Sequence, residues 1–272
     1  MVQIRGPVEF LMGSPDSEAG RSGVEVQHKK RIGRTFFIGA KAVTVDEYKR
    51  FVKNHEFTNG DYPVVDVNWF DTAVYCNWLS QQEGIGEDQW CYEISGSENT
   101  LKVKMKENYL SLKGYRLPTE AEMEYVMRGK STTSRYYGES EELLGKYGWY
   151  YKNSQKKSHP VAMLKPNEFG LFDVNGNVYT WCLDEYKSYE VKSSFGEDAE
   201  SGLVVGPLVV PRVLRGGSFG RVARVTRSAV RSDLRACFPE LRCWVPSCED
   251  LLITAWFFTA LHLVIFAFCI CL

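Results

Sequence analysis

The sequence predicts an α+β domain with few helices, short strands and long loops. Three segments carry the capping residues and apolar spacing of helices. Between and after them, apolar runs of strand length are separated by Gly, Asn and Pro. With 272 residues, 44% of them hydrophobic and 14% aromatic, the chain is long enough to bury a core of ordinary size.

Each predicted helix starts at a residue whose side chain can accept a hydrogen bond from the first helical turn. Thr44 and Thr119 are each followed three positions later by a glutamate, which is the capping-box spacing, and Asn68 is followed by an aspartate in the first turn. Glycine ends the second and third helices. The signals are Thr44 with Glu47; Asn68 with Asp71 and a stop at Gly84; and Thr119 with Glu122 and a stop at Gly129.

Strands are predicted where short apolar runs lie between turn residues. The runs are too short, and the connecting segments too long, for a regular β-sandwich. An irregular arrangement of small sheets is therefore expected. The runs are VEFLMGS, RTFFIGAKAV, HPVAML, VYTWCLD and RVLRGGSF.

Composition excludes several classes of protein. The formal charge is −1 with both signs interspersed, so no basic surface for nucleic acid is expected. The first residues lack the basic and apolar segments of a secretory signal. The eight cysteines form no CxxC pair and the four histidines are isolated, which argues against zinc and His-based iron sites. A reducing, cytoplasmic location is predicted.

Six segments follow one another along nearly all of residues 2–232. They are FLMGSPDSEAGR, KAVTVDEYKRFV, PVVDVNWFDTAVYCNWLS, YRLPTEAEMEYVMRG, NEFGLFDVNGNVYTWC and VLRGGSF…RSAVRS. In this order they resemble the formylglycine-generating, sulfatase-modifying-factor family. The resemblance implies a C-type-lectin-like fold with one central groove. It also implies oxidation of a sulfatase cysteine to formylglycine by dioxygen at a copper ion held by two cysteines.

The expected cysteine pair is missing from this sequence. Counted from Ser218, the first cysteine position falls on Arg221 and the second on Ala223 or Thr226. No cysteine occurs between Cys182 and Cys237. Monovalent copper needs soft thiolate ligands, and a guanidinium is a permanent cation that only donates. Copper binding and the oxidation in its known form are therefore not expected.

Other parts of the family's groove have counterparts here. The resemblance places Ser218 beside the oxygen pocket, with Tyr179 where tryptophan is usual. Arg215 and Arg221 would lie on one face of a strand and line a groove for an acidic ligand. Alternatively, such arginines pair with nearby acids. The predicted partners of the arginines are Asp184 and Glu185. Gly216–Ser218 could instead form a bulged strand with a structural role. Trp149, Tyr150 and Tyr151 could form a peptide-binding wall or belong to the core.

The resemblance also implies a calcium site. Its ligands would be Asp173 and the carbonyl oxygens of Gly176 and Val178, with Thr180 where the family has an acidic side chain. The second family calcium site is replaced by the lysine-containing segment NSQKKSHPV. The alternative is a turn in which Asp173 bonds its own backbone.

Three functions remain open at this point. The first is a family member without the oxidase centre that binds a peptide or small molecule in the groove. The second is an accessory domain of an iron-dependent sulfur-oxidising system, whose iron ligands a partner would supply. The third is a lectin-like recognition module, since fold alone does not choose between activities.

The end of the chain differs in composition from the rest. Residues 251–272 contain no Asp, Glu, Lys or Arg, which predicts a membrane-spanning tail anchor. Residues 233–250 diverge from the ending usual in the family. Codons permitted for WVPSCED, read one base out of frame, give Gly-Phe-Arg-Val-Ala-Arg, which is that ending. The competing hypothesis is therefore a frame-shift after Ser232, with residues 1–232 as the domain.

The frame-shift hypothesis makes a prediction about the gene. Genomic DNA read across the codons after Ser232 should contain the family ending in the alternate frame. Amplification and sequencing of that region from the source organism is the measurement. An alternate frame without that ending would contradict the hypothesis and leave the apolar segment as a genuine tail.

Overall fold

The computed structural model describes residues 1–53, 60–96, 101–189, 194–198, 204–205, 210–235, 265–266 and 270–271. In these ranges the chain forms short α-helices and short strands, joined by long loops. The strands are arranged in small sheets of three or four members. The predicted α+β class is confirmed.

The α-helices begin where the capping residues predict. At each N-terminus the capping side chain accepts from the third helical residue, and the acid there accepts from the capping backbone. Gly129 ends the last helix in the left-handed conformation, with φ +54°. The helices are α1 Val45–Lys49, α2 Trp69–Gln82 and α3 Glu120–Arg128, and three 3₁₀ turns span Glu87–Gln89, Glu141–Lys146 and Ala223–Thr226.

The strands include four of the five predicted runs. The described strands are β1 Val2–Ile4, β2 Val8–Met12, β3 His28–Ile32, β4 Phe36–Ile38, β5 Tyr92–Ser95, β6 Lys102–Met105, β7 Tyr179–Glu185, β8 Gly196–Glu197, β9 Val204–Val205, β10 Pro211–Arg215, β11 Ser232–Arg235, β12 Ile265–Phe266 and β13 Ile270–Cys271. The prediction of a strand at HPVAML is wrong. Ala162 has φ +60°, and its N–H donates to the Asp173 side chain instead of a neighbouring strand.

The sheets bring distant parts of the chain together. Their strand orders are β11-β10-β7-β12, β1-β4-β13, β2-β3-β8 and β5-β6-β9. The pairs β7–β12 and β3–β8 are parallel and the other pairs are antiparallel. Strand β3, with the sequence HKKRI, was missed because its charged side chains hide the apolar alternation on which strand prediction relies.

Two buried tryptophans join α2 to β7. Trp69 and Trp181 are both 0% exposed. The Trp69 indole N–H donates to the carbonyl of Cys182 at 3.0 Å, and that of Trp181 donates to the carbonyl of Val67 at 3.1 Å. A buried indole needs such an acceptor. The two bonds run in opposite directions between the elements and fix the helix on the strand.

Helix α3 carries buried glutamates that hold two arginines in the interior. Arg215, the last residue of β10, contacts Glu120 at 2.7 Å and Glu124 at 2.9 Å. Arg231 donates to both carboxylate oxygens of Glu120, at 2.6 and 2.9 Å. A buried charge without a partner is strongly destabilising, so these pairs constrain how α3 and β10 are placed.

Glu122, on another side of α3, has its own pair of arginines. Arg116 donates to both of its carboxylate oxygens, at 2.7 and 2.8 Å, and Arg34 donates at 2.6 Å. Burial raises the pKa of Glu122, but the two guanidinium groups outweigh this and hold it at about 2. Because the folded pKa lies below the usual value, this stabilisation is present above about pH 4.5 and is lost as the pH falls towards 2.

The predicted membrane-spanning tail falls almost entirely outside the described residues. Only its dipeptide strands β12 and β13 are described, and they pair with β7 and β4. Among the residues that the structure describes, no helix combines the length and the apolar character needed to cross a membrane.

Glu120→Gln is expected to destabilise the fold. The substitution preserves volume but leaves Arg231 without a carboxylate and Arg215 with only Glu124, which should cost about 3 kcal/mol of unfolding free energy. Urea denaturation followed by circular dichroism measures it. The matched control is Glu141→Gln, which removes an exposed pair with Lys152 and should cost about 0.5 kcal/mol or less. Equal effects of the two changes would contradict the assigned role.

Candidate functional site

The loop that follows β10 turns sharply at two glycines. Gly216 has φ +92° and Gly217 φ +71°, a region that side chains other than glycine rarely adopt. A Cβ on Gly217 would lie 2.8 Å from the carbonyl oxygen of Val225. The glycines therefore end the strand, and they do not form the predicted bulge. The register irregularity lies earlier, between Arg212 and Leu214.

Ser218 lies where this loop meets the loop before β7. The Gly176 N–H donates to the carbonyl of Gly216 at 2.8 Å, and the Phe219 N–H donates to that of Asn177 at 2.8 Å. Ser218 is 7% exposed. The structure thus brings the predicted Ser218 position beside the predicted calcium loop.

Of the positions where the resemblance expects cysteines, Ala223 and Thr226 lie in the interior and Arg221 lies nearer the surface. Ala223 and Thr226 are buried, and the Thr226 hydroxyl donates to the carbonyl of Ala223 at 2.9 Å. The Asn175 amide donates to the carbonyl of Thr226 at 2.6 Å. Arg221 is half-buried, and its carbonyl accepts from the Tyr151 N–H at 2.9 Å.

The Arg221 guanidinium forms no hydrogen bond or ion pair with any described residue. Its neighbours along the turn and across it are apolar and exposed: Val222 is 49% exposed and Tyr151 is 51% exposed. We call these three residues the Arg221 surface. It combines one cation, unpaired among the described residues, with an exposed aliphatic and an exposed aromatic residue.

Arg215 does not belong to this surface. It is 0% exposed and pairs with the α3 glutamates, so the structure places it in the interior and not in a groove. The prediction that Arg215 forms ion pairs is correct, but the predicted partners Asp184 and Glu185 are wrong, because the pairs are with Glu120 and Glu124. The sequence signal for the true partners was the run EAEME, which repeats an acid at every second position of a helix.

The predicted aromatic wall is divided between core and surface. Tyr150 is 8% exposed and Trp149 stacks on the His159 ring, with ring centroids 3.8 Å apart and planes 13° apart. Only Tyr151 of the three reaches solvent to a large extent. Tyr179 is also buried, at 5% exposure, so its ring is not a surface contact.

Asp173 is the acidic side chain of the predicted calcium loop. Its backbone is left-handed, with φ +56°, and its Oδ2 accepts from the Ala162 N–H at 2.8 Å. The alternative in which Asp173 bonds the backbone of its own turn is therefore wrong, because its side chain accepts from Ala162 in another loop. Oδ1 is buried without a hydrogen-bond donor among the described residues. Burial raises the pKa of Asp173 to about 6.

The orphaned Asp173 oxygen suits a hard cation, and it is the feature of this loop that fits calcium. The other side chain at the predicted site, Thr180, is buried and neutral. Within the described ranges, no group of three or more His, Cys, Asp or Glu side chains is arranged to hold a metal ion. Calcium binding by Asp173 with the Gly176 and Val178 carbonyls stays a prediction.

Three cysteines lie away from the surface. Cys76, Cys91 and Cys182 are free thiols and each is 0% exposed. Burial raises the pKa of Cys182 well above its usual value. A thiol protected from solvent and held protonated, as Cys182 is, is neither a good nucleophile nor a good metal ligand.

Comparison with known proteins gives a consistent picture. Residues 1–240 match the family described as the sulfatase-modifying factor enzyme 1-like domain. The chain is 26% identical to the chaperone protein LppX of Paenibacillus barcinonensis, over 68% of this chain and 74% of that protein. It is 28% identical to a formylglycine-generating enzyme of Streptomyces coelicolor, over 58% of this chain and 42% of that enzyme. A third match, at 30% identity, is to a serine/threonine-protein kinase of Chlamydia caviae, and it covers 64% of this chain but 20% of the kinase.

Solved structures show the same fold. Treponema denticola variable protein 1 has a TM-score of 0.76 at 24% identity, covering 100% of this chain and 94% of that protein. PvdO from Pseudomonas aeruginosa has a TM-score of 0.67 at 20% identity, covering 99% and 92%. At these identities the likeness concerns the fold and not the activity.

Asp173→Asn is expected to stabilise the protein above pH 6. The raised pKa means that the folded chain holds a proton that the unfolded chain has lost, so wild-type stability falls as the pH rises from about 4 to about 6. Asparagine tolerates the left-handed backbone and carries no charge. The gain should be on the order of 2 kcal/mol at pH 8 and near zero at pH 4.

Thermal unfolding in EDTA across this pH range measures the effect. The control is Asp233→Asn, which removes a carboxylate from an exposed position. A pH-independent effect of Asp173→Asn would contradict the burial argument. Calcium added to the wild type in the same assay tests the metal: a rise in Tm that EDTA reverses supports it, and no shift rejects it.

Proposed function

The chain belongs to the family of sulfatase-modifying factor enzyme 1-like domains, and we propose that it acts there as a binding module that does not oxidise thiols. Its ligand is a peptide or small molecule that carries an acidic group. The Arg221 surface is the contact site. The carrying observation is that the turn after Gly217 presents Arg221 where the resemblance calls for a copper-binding cysteine.

The remaining cysteines support the absence of oxidase chemistry. The sequence holds no thiol between Cys182 and Cys237, and Cys76, Cys91 and Cys182 are buried. A fixed positive charge at position 221 disfavours a copper ion in its vicinity. Ala223 and Thr226 contribute a methyl group and an internally bonded hydroxyl, neither of which holds a soft metal.

Some relatives are formylglycine-generating enzymes, and two others carry different names. One is named as a chaperone, a function that consists of binding another protein. Another is a kinase of which the matching segment is about a fifth, so there the fold accompanies a separate catalytic activity. The chain spans less than half of the formylglycine-generating enzyme it matches from Streptomyces coelicolor.

The chemistry of the Arg221 surface selects the ligand class. A guanidinium without an ion-pair partner gains a bidentate contact when a carboxylate approaches, and partial burial strengthens this interaction relative to open water. Tyr151 and Val222 add apolar area on either side of the charge. A carboxylate next to an aromatic or aliphatic group, as in an acidic peptide, matches this arrangement.

An oxidation assay tests the first half of the proposal. The purified chain is incubated with copper, dioxygen and a cysteine-containing sulfatase peptide, and mass spectrometry follows the conversion of the thiol to an aldehyde. A formylglycine-generating enzyme run in parallel shows that the conditions permit turnover. We expect no aldehyde above the protein-free background. Turnover by this chain would overturn the proposal.

Arg221→Ala is expected to weaken binding to acidic peptides by about tenfold, the effect of losing one charge-assisted contact. A peptide array probed with the labelled chain identifies ligands, and fluorescence anisotropy measures Kd. The matched control is Arg224→Ala, which removes the same charge from an exposed position three residues further along the same turn. If both variants lose the same affinity, the loss reflects the net charge of the protein, and a defined binding site at Arg221 is contradicted.

A further inference from the structure

A second cleft, separate in sequence from the Arg221 surface, lies between α2 and the β5–β6 hairpin. Its volume is about 560 Å³. Aromatic and aliphatic side chains line it together with polar and charged ones, Lys106 among them. We call it the Trp78 cleft. The residues that matter below are Phe51, Asn77, Trp78, Gln81, Glu87 and Trp90.

The two indole rings of the Trp78 cleft are held in place by other contacts. Trp78 stacks on Tyr75, with centroids 5.5 Å apart and planes 23° apart, and packs against Phe51 at 5.6 Å. The Trp90 N–H donates to the carbonyl of Ile85 at 2.8 Å. Both indoles are half-buried. They therefore offer fixed ring faces to a ligand, with little ordering required on binding.

Asn77 fixes the wall of the cleft where α2 meets β5. Its amide N–H donates to the carbonyl of Tyr92 at 2.9 Å. The residue is 6% exposed, and its Oδ1 is buried without a hydrogen-bond donor among the described residues. Because this oxygen is shielded from solvent, the acceptors open to a ligand are those of the exposed Gln81 and Glu87 side chains.

The charges around the cleft are balanced. Glu93 pairs with Lys104 at 3.3 Å, and the Lys106 ammonium donates to the backbone carbonyl of Glu87. The Gln81 amide and the Glu87 carboxylate are exposed and make no hydrogen bond to a described residue. The rim thus presents mainly acceptors, with no excess of cations that would attract a phosphate. It favours an uncharged ligand rich in donors.

We propose that the Trp78 cleft binds a saccharide of one or two pyranose rings. A pyranose ring has a flat C–H face that packs on an indole, and its hydroxyl groups donate to acceptors at its edge. Both features have counterparts here: the Trp78 and Trp90 faces, and the exposed oxygens of Gln81 and Glu87. A flat aromatic heterocycle would fill the same space but would supply fewer donors. This inference is independent of the function proposed for the Arg221 surface.

Saturation-transfer NMR on the whole chain tests the inference. The probes are the methyl glycosides of glucose, galactose, mannose and N-acetylglucosamine, the disaccharides cellobiose and N,N′-diacetylchitobiose, and adenosine as the aromatic comparator. We expect transfer to the ring C–H protons of at least one saccharide, with a dissociation constant in the millimolar range. Gln81→Ala should weaken that binding about fivefold by removing a polar contact at an exposed helix position that supports no core packing.

Two further variants locate the site. Trp90→Ala should abolish transfer, whereas Arg221→Ala should leave it unchanged because it alters only the other surface. Gln81→Ala keeps the test valid if the tryptophan variant fails to fold. Three results would each overturn the inference: no transfer to any saccharide at about 20 mM, a concentration that reveals even weak sites; transfer to adenosine alone; or saccharide binding that Gln81→Ala leaves unaltered.

Discussion

The pairing of glutamates on α3 with arginines from the last third of the chain is the interaction on which the rest of the structure depends. Charged groups are almost never fully buried unless they are paired. Here Glu120, Glu124, Arg215 and Arg231 are all buried, so each limits where the others lie. The pairing connects a helix near residue 120 to strand β10 and the segment beyond residue 230. The order of the surrounding loops follows from it.

The consequence for the site is geometric. Arg215 is the last residue of β10, so its anchoring in the interior sets the point at which the chain turns through Gly216 and Gly217. The backbone bonds from Gly176 to Gly216 and from Phe219 to Asn177 then hold two loops together across the candidate site. None of these contacts involves a reacting group. This frame therefore does not depend on which side chains the turn after Gly217 carries.

This separation of frame from chemistry explains how one fold accommodates the relatives found for it. The contacts that build the fold are buried indole bonds, capping boxes and ion pairs, and they lie beneath the surface. The turn from Arg221 to Thr226 and the wall of the Trp78 cleft lie outside that set. If the two proposed sites bind ligands there, substitutions in them change recognition while the ion pairs beneath stay in place. Function on such a scaffold is decided by the surface loops and their side chains.

The sequence by itself determined the local features. The capping boxes at Thr44, Asn68 and Thr119 need only neighbouring residues, and they were predictable because a cap is satisfied within its own first turn. The absence of a thiol in the turn after Ser218 is likewise a fact of composition. The tertiary structure alone decided the destination of Arg215, because its carboxylate partners lie some ninety positions away. From the sequence alone a charged side chain is predicted to be exposed, because its burial requires a buried counter-charge that only the fold can supply. The same holds for Asn77, whose unpaired oxygen becomes visible only when α2 packs on β5.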